Sequence, residues 1–261
     1  MNLSLKGKNA LVGGSSKGIG EAIARQLAES GASVTLMARS EGRMQELISE
    51  MDNSQGQKHQ YLTVDFTNFE AYKTKITEFF ETNTVDILVN NTQGPEGGGA
   101  LEKKVEDYQN AFDLLFKSVV YTTELALRHM QKNKWGRIIN IASISVKEPL
   151  NYLALSNTIR AAVVTWAKSL AYDVAKDGIT VNSTLTGYFD TDRITQLNAK
   201  KAEKLGISTD EVRSNMEEQV PVKRIGDPKE YGYLVAFLAS DKAAFITGTN
   251  IPIDGGLLKS M

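Results

Sequence analysis

The chain has 261 residues, 41% of them hydrophobic, and a formal net charge of −1. This suits one large α/β domain with a sizeable core and gives no global field toward nucleic acid or a membrane surface. There is no cysteine, the two histidines, His59 and His129, lie far apart, no apolar run approaches the ~20 residues of a membrane span, and no signal-peptide segment precedes the first strand; disulfides, thiol catalysis, a histidine-based metal site and a Ser-His-Asp triad therefore have little to work with, and a cytoplasmic location is expected.

In chain order, the apolar run Ala10-Leu11-Val12 reads as a strand, followed by Gly13-Gly14-Ser15-Ser16-Lys17-Gly18-Ile19-Gly20 and a helix through Glu21–Leu27. Gly31 fits the end of that helix. Ser33–Ala38 reads as a buried strand, and Glu41–Met51 has helical spacing through Met44, Leu47 and Ile48. Tyr61–Val64 reads as a third strand ending at Asp65, Asn68–Glu81 as a helix, and Ile87–Val89 as a fourth strand. A flexible, glycine-rich stretch from Asn90 to Gly99 precedes a long helix over Val105–Lys132. Arg137–Ile141 is a fifth strand, Tyr152–Lys176 a second long helix, Ile179–Asn182 a sixth strand and Asn250–Ile253 a short last one. The polar, charged stretch from Thr191 to Asp227 looks like a substrate lid inserted in a single domain over 1–261. Strand and helix alternate, which predicts a doubly wound, Rossmann-like parallel sheet with helices on both faces.

In such a sheet ligands bind outside the carboxyl ends of the strands. The glycine turn, Arg39, Asp65, Asn90-Asn91 and Ser143 all fall at such ends. A glycine turn opening a helix presents backbone N–H groups to a phosphate, since no Cβ blocks the approach. An NAD site carries an acidic residue about 20 residues beyond the glycines to hold the ribose 2′-hydroxyl. Here that position reads Ala38-Arg39-Ser40. A guanidinium there pairs with a 2′-phosphate, and Lys17 adds a second charge, so the expected cofactor is NADP(H).

Taken together, Gly13–Gly20, Val89-Asn90-Asn91, Gly136-Arg137-Ile138-Ile139-Asn140-Ile141-Ala142-Ser143, Gly178–Asn182 and Phe245-Ile246-Thr247-Gly248 with Asp254-Gly255-Gly256 resemble the short-chain dehydrogenase/reductase family. In layout the chain is most similar to its 3-oxoacyl-acyl-carrier-protein reductases. The resemblance implies cofactor contacts by Gly14, Ser16, Lys17, Gly18, Ile19, Gly20, Arg39, Asp65, Asn91, Gly187 and Thr191, and a homotetramer or homodimer. It also implies an Asn-Ser-Tyr-Lys catalytic set. In that set the serine holds the carbonyl oxygen, the tyrosine exchanges its proton, and the lysine grips the nicotinamide ribose and lowers the tyrosine pKa. The asparagine supports a chain of waters.

Aligned without gaps, the serine falls on Ser143, the tyrosine on Ser156, the lysine on Arg160 and the asparagine on Leu115. Ser143 and Ser156 keep the family's spacing of thirteen residues, which favours Ser143 over Ser145 as the serine. Ser156 and Arg160 share a helix face. Arg160 keeps a fixed positive charge but cannot deprotonate, and a serine hydroxyl is a poorer acid than a phenol. A replacement phenol is sought in Tyr152, one turn upstream of Ser156 if the helix already includes it, or in Tyr188. The expected activity is NADPH-dependent reduction of a ketone or 3-oxoacyl thioester with a non-standard proton donor. The alternative is a weak or inactive relative that binds NADP(H) as a sensor or partner subunit. Without a basic patch interleaved with aromatics, nucleic acid is not an expected partner.

Overall fold

The computed structural model describes residues 3–260, and among them seven strands form one parallel sheet in the order β3-β2-β1-β4-β5-β6-β7. The strands are β1 (Asn9–Gly13), β2 (Ser33–Ala38), β3 (Gln60–Thr63), β4 (Ile87–Asn90), β5 (Gly136–Ser143), β6 (Ile179–Thr186) and β7 (Asn250–Ile253). Their order reverses between β1 and β4, which opens a crevice at the carboxyl ends of the two strands. β6 runs four residues past the predicted Asn182, because its partner β5 continues to Ser143 and pairs it with Thr186.

Alternation along each strand splits the core into two layers. Val12, Val34 and Leu36 face α1 (Gly18–Glu29), α2 (Glu41–Glu50) and α9 (Pro228–Ala239). Leu11, Leu88, Ile138 and Val181 face α3 (Phe69–Thr82), α4 (Val105–Phe112), α5 (Ser118–Asn133) and α6 (Ala154–Val174). α9 lies so close on α1 that a Cβ at Gly232 would come within 2.9 Å of the Ala22 carbonyl oxygen. Arg137, 2% exposed, spans the base of the sheet and donates to the carbonyls of Ser240 and Gly178. Among the described residues no helix is long and apolar enough to cross a membrane.

Two predicted helices differ. The one expected over Val105–Lys132 is interrupted by a π-helical turn, Asp113–Lys117, with Leu115 at its centre. The hydroxyls of Ser118 and Thr122 bond back to the carbonyls of Leu114 and Ser118, a pattern that bends helices. The second long helix begins at Ala154, not Tyr152. Residues 149–153 form the turn that follows Pro149, and the Leu153 N–H closes back on the Leu150 carbonyl. The polar stretch expected as a lid folds into α7 (Asp192–Leu205) and α8 (Thr209–Gln219). These pack on each other through Ala202, Val212 and Met216, with Tyr188 against them.

Candidate active site

The glycine turn between β1 and α1 is a backbone-on-backbone contact. A Cβ on Gly13 would lie 2.3 Å from the Asn91 carbonyl oxygen, and one on Gly20 would lie 2.2 Å from that of Gly14. Asn91 donates its side-chain amide to the Gly13 carbonyl at 3.0 Å, tying the end of β4 to the turn. Gly14 and Gly18 take positive φ values of 56° and 58°. Ser15, which the sequence did not single out, is buried and accepts the Met37 N–H at 2.9 Å, fixing the turn to β2. Ser16 is half-buried and Lys17 exposed, and half-buried Ile19 packs on the core.

α1 has no side-chain N-cap, whereas Asn68, Thr191, Ser208 and Asp227 cap α3, α7, α8 and α9. Its first N–H groups are open donors at the positive end of the helix dipole, a chemical match for the pyrophosphate of a dinucleotide. Arg39 follows β2, is exposed and makes no ion pair among the described residues. Asp65 is occupied locally: its Oδ1 accepts the Thr67 N–H at 2.9 Å and the Thr67 hydroxyl at 2.7 Å. Those bonds, and after them the charge of Arg39, hold its carboxyl below the usual range.

Thr191 caps α7 by accepting the Ile194 N–H at 3.4 Å, and a Cβ on Gly18 would lie 3.2 Å from its methyl group. α7 therefore starts directly against the glycine turn. The space missing a Cβ at Gly187 is not on the cleft side. It faces Asp254, whose Cα would lie 2.6 Å from it, so the close approach that requires glycine there is to the segment after β7.

At the carboxyl end of β5 the Ser143 hydroxyl accepts the Ser145 N–H at 3.1 Å, which leaves its own proton free to donate. Ser145 is fully buried. Ser156 lies in the first turn of α6 and is 9% exposed. One turn on, Arg160 curls over β5, and its Nη1 donates to the Ile141 carbonyl at 2.5 Å. Burial holds its pKa below the usual arginine value. Leu115 is buried, and its side chain has no group to hold a water.

Tyr152 precedes α6, so the condition for its sharing the helical face of Ser156, that the helix already includes it, is not met. Its phenol is half exposed and interacts with that of Tyr188. Burial, then Tyr188, pushes it up to about 12, and burial also raises Tyr188. A further phenol was missed from the sequence: Tyr231 of α9, whose place among Val235 and Leu238 reads as core spacing. It is fully buried and hydrogen-bonds Thr184 at 2.6 Å and Thr186 at 2.8 Å. Thr186 in turn lies beside Ser143.

The family model described as enoyl-(acyl carrier protein) reductase matches residues 14–258. The 3-oxoacyl-(acyl-carrier-protein) reductase FabG of Vibrio cholerae is 37% identical over 263 residues, covering 98% of this chain and 99% of the relative. The protein of the same name from Escherichia coli is 36% identical over 256 residues, covering 98% and 99%. Among solved structures, the L-sorbose reductase of Gluconobacter frateurii, complexed with NADPH and L-sorbose, superposes with a TM-score of 0.92 at 29% identity over the whole of both chains. A 3-oxoacyl (acyl-carrier-protein) reductase from Agrobacterium tumefaciens with NADP bound gives 0.87 at 30% identity, covering 98% of this chain and 96% of the other. The fold is that of the Rossmann-like dinucleotide oxidoreductases, and the chain belongs to the short-chain dehydrogenase/reductase family.

Proposed function

We propose that the protein is an NADP(H)-dependent reductase of a ketone or a 3-oxoacyl thioester, working with a non-standard proton donor. The observation that carries this reading is the uncapped start of α1 at the strand reversal, with Lys17 and Arg39 available to a 2′-phosphate and no carboxylate among Ala38-Arg39-Ser40 at the end of β2. The relatives named with NADPH or NADP support the same cofactor.

The backbone of Gly14, Ser16, Gly18, Ile19 and Gly20 holds the pyrophosphate, and Lys17 and Arg39 hold the 2′-phosphate. Asn91, Gly187 and Thr191 shape the cleft farther in, and Asp65 borders the adenine side. When bound, the reduced nicotinamide supplies the hydride. Ser143 donates its hydroxyl to the carbonyl oxygen. Arg160 supplies a fixed positive charge beside the ribose, in the place where the family has lysine, and Ser156 stands where it has tyrosine. Neither residue is an acid of phenolic strength. We assign the proton to the Tyr152 phenol, with the Ser156 hydroxyl as the second candidate. A positioned acid contributes ~10²–10⁴-fold in rate, so a phenol held near 12 supports slow turnover at neutral pH. The proposal includes assembly of copies as a homotetramer or homodimer. The outer face where the rings of Phe112 and Phe116 stack at 5.0 Å, next to Trp166, supports it.

The replaced acid and lysine also favour a second reading, a relative that binds NADP(H) without turnover. Fluorescence titration of NADPH, with NADPH oxidation over acetoacetyl thioesters and small diketones, separates the two. The reductase reading expects binding and turnover on at least one ketone. Tight binding with no turnover on any of them leaves the second reading.

A further inference from the structure

The glycine-rich stretch after β4, expected from the sequence to be flexible, is bonded to the turn that carries Tyr152. The Gly98 N–H donates to the Tyr152 carbonyl at 2.7 Å, and the Ala154 N–H donates to the Gly98 carbonyl at 3.0 Å. These two bonds make a parallel bridge between Gly98 and Leu153. A Cβ on Gly97 would lie 3.4 Å from the Tyr152 carbonyl oxygen, and one on Gly99 would lie 3.4 Å from that of Asn151, so the stretch lies flush on the backbone of the turn. Gly98 has a φ of 147°, a conformation that favours glycine, and a Cβ there would come 2.5 Å from Lys103 Cε. The stretch is itself anchored. The Gly99 N–H donates to the Glu102 carboxylate at 3.0 Å, and Arg193 of α7 donates to the Pro95 carbonyl at 3.2 Å.

Asn157 holds the same turn from within α6. Its Nδ2 donates to the Leu150 carbonyl at 2.8 Å, the same carbonyl that accepts the Leu153 N–H at 3.0 Å. Its Oδ1 is buried and meets no donor among the described residues, so the bond to Leu150 is the side chain's one polar engagement. Tyr152 precedes the first turn of α6 and gains nothing from the helix's own ladder. Where its phenol sits therefore depends on the bonds that reach the turn from outside, through Gly98 on one segment and Asn157 on another. An acid works only when aligned with the oxygen it protonates, and a displacement of about 1 Å can cost ~10²-fold in rate.

We propose that Asn157 and Gly98 are positioning residues for the reduction: together they clamp the turn that presents the Tyr152 phenol. The inference rests on the assignment of the proton to Tyr152. Neither residue supplies a proton. Each acts through the backbone of the turn, Asn157 at the Leu150 carbonyl and Gly98 at the Tyr152 carbonyl and the Ala154 N–H.

The test is a double-mutant cycle on NADPH oxidation by the full-length protein, with Asn157→Ala and Gly98→Ala each made alone and combined with Tyr152→Phe. Each single variant is expected to lower kcat about tenfold or more, while KM and the Kd for NADPH stay within about twofold, because a displaced acid slows the chemical step without loosening binding. In the Tyr152→Phe background the same substitutions should cost nothing further, since the group they position is gone. Melting curves check that the variants are folded. A parent kcat in Asn157→Ala overturns the inference, and so do losses that multiply with that of Tyr152→Phe, which is what a general structural role gives. Full kcat in Tyr152→Phe alone, or no turnover of any ketone, is a different result: it removes the donor assignment, and amide hydrogen exchange then decides whether the clamp exists. Faster exchange of the Gly98 and Ala154 amides in Asn157→Ala supports it, and unchanged exchange at both overturns it.

Discussion

The Lys17 ammonium lies 3.1 Å from the Asp192 carboxylate, joining the glycine turn to the first turn of α7. With side chains 64% and 67% exposed, the pair adds little to stability, typically under about 1 kcal/mol. Its consequence lies in binding, because a phosphate reaching Lys17 competes with Asp192 for the same charge.

Lys17 and Arg39 are therefore expected to discriminate between cofactors. Arg39→Ala should raise the Kd for NADPH about tenfold to a hundredfold, the loss of a charge-assisted contact worth about 1.5–3 kcal/mol, and leave NADH almost unaffected. Asp192→Asn, which frees Lys17, should tighten NADPH. Fluorescence titrations at two salt concentrations check both, and a parallel loss for NADH and NADPH in Arg39→Ala would remove the 2′-phosphate assignment.

The two candidate proton donors are separable. Tyr152 sits in the turn before α6, half exposed, while Ser156 is buried within the helix. Tyr152→Phe is expected to lower kcat by ~10²-fold with NADPH affinity intact. Ser156→Ala is expected to cost less than tenfold. Steady-state kinetics on any reduced ketone read the difference, and full activity in both variants would rule out both donors.

Glu230 gives a pH signature of stability at the start of α9. Its carboxylate accepts two bonds from Arg224, at 2.6 and 2.7 Å, and the Asp227 N–H at 2.8 Å. Arg224 first, then that N–H, lower its pKa from 4.5 to about 2. A carboxyl whose folded pKa is depressed contributes stability above its unfolded value and loses it as the pH falls through the folded one. Glu230→Gln should therefore lower Tm by about 2 °C at pH 7, with the gap closing between pH 4.5 and about 2. Melting curves of the two proteins across that range test it; a gap that persists at pH 2 would assign the effect to something other than the charge.

Much of the fold was legible in the chain because its signals are local. Continuous apolar runs mark strands buried on both faces, 3.6-residue spacing marks the helices between them, and the glycines of the turn fall where a Cβ would strike Asn91 or Gly14. The same locality made Lys17, Arg39 and Ser143 nameable, since strand ends follow from counting, whereas Ser156 and Arg160 were reached through the family resemblance. Counting failed where a short turn decides the boundary. Pro149 and the closure of Leu153 on Leu150 keep Tyr152 out of α6, and the π-turn around Leu115 interrupts a helix that periodicity runs through.

What the sequence determined by itself is the sheet, the crevice at its reversal and the residue types along its carboxyl edge, because these depend on patterns within single segments. Only the tertiary structure decided which groups meet across that edge: Tyr231 with Thr184 and Thr186, Lys17 with Asp192, and Arg160 with the Ile141 carbonyl. Each of these meetings joins different elements of the chain, nineteen or more residues apart. They depend on how helices on opposite faces close over the strand ends, and no local periodicity carries that information.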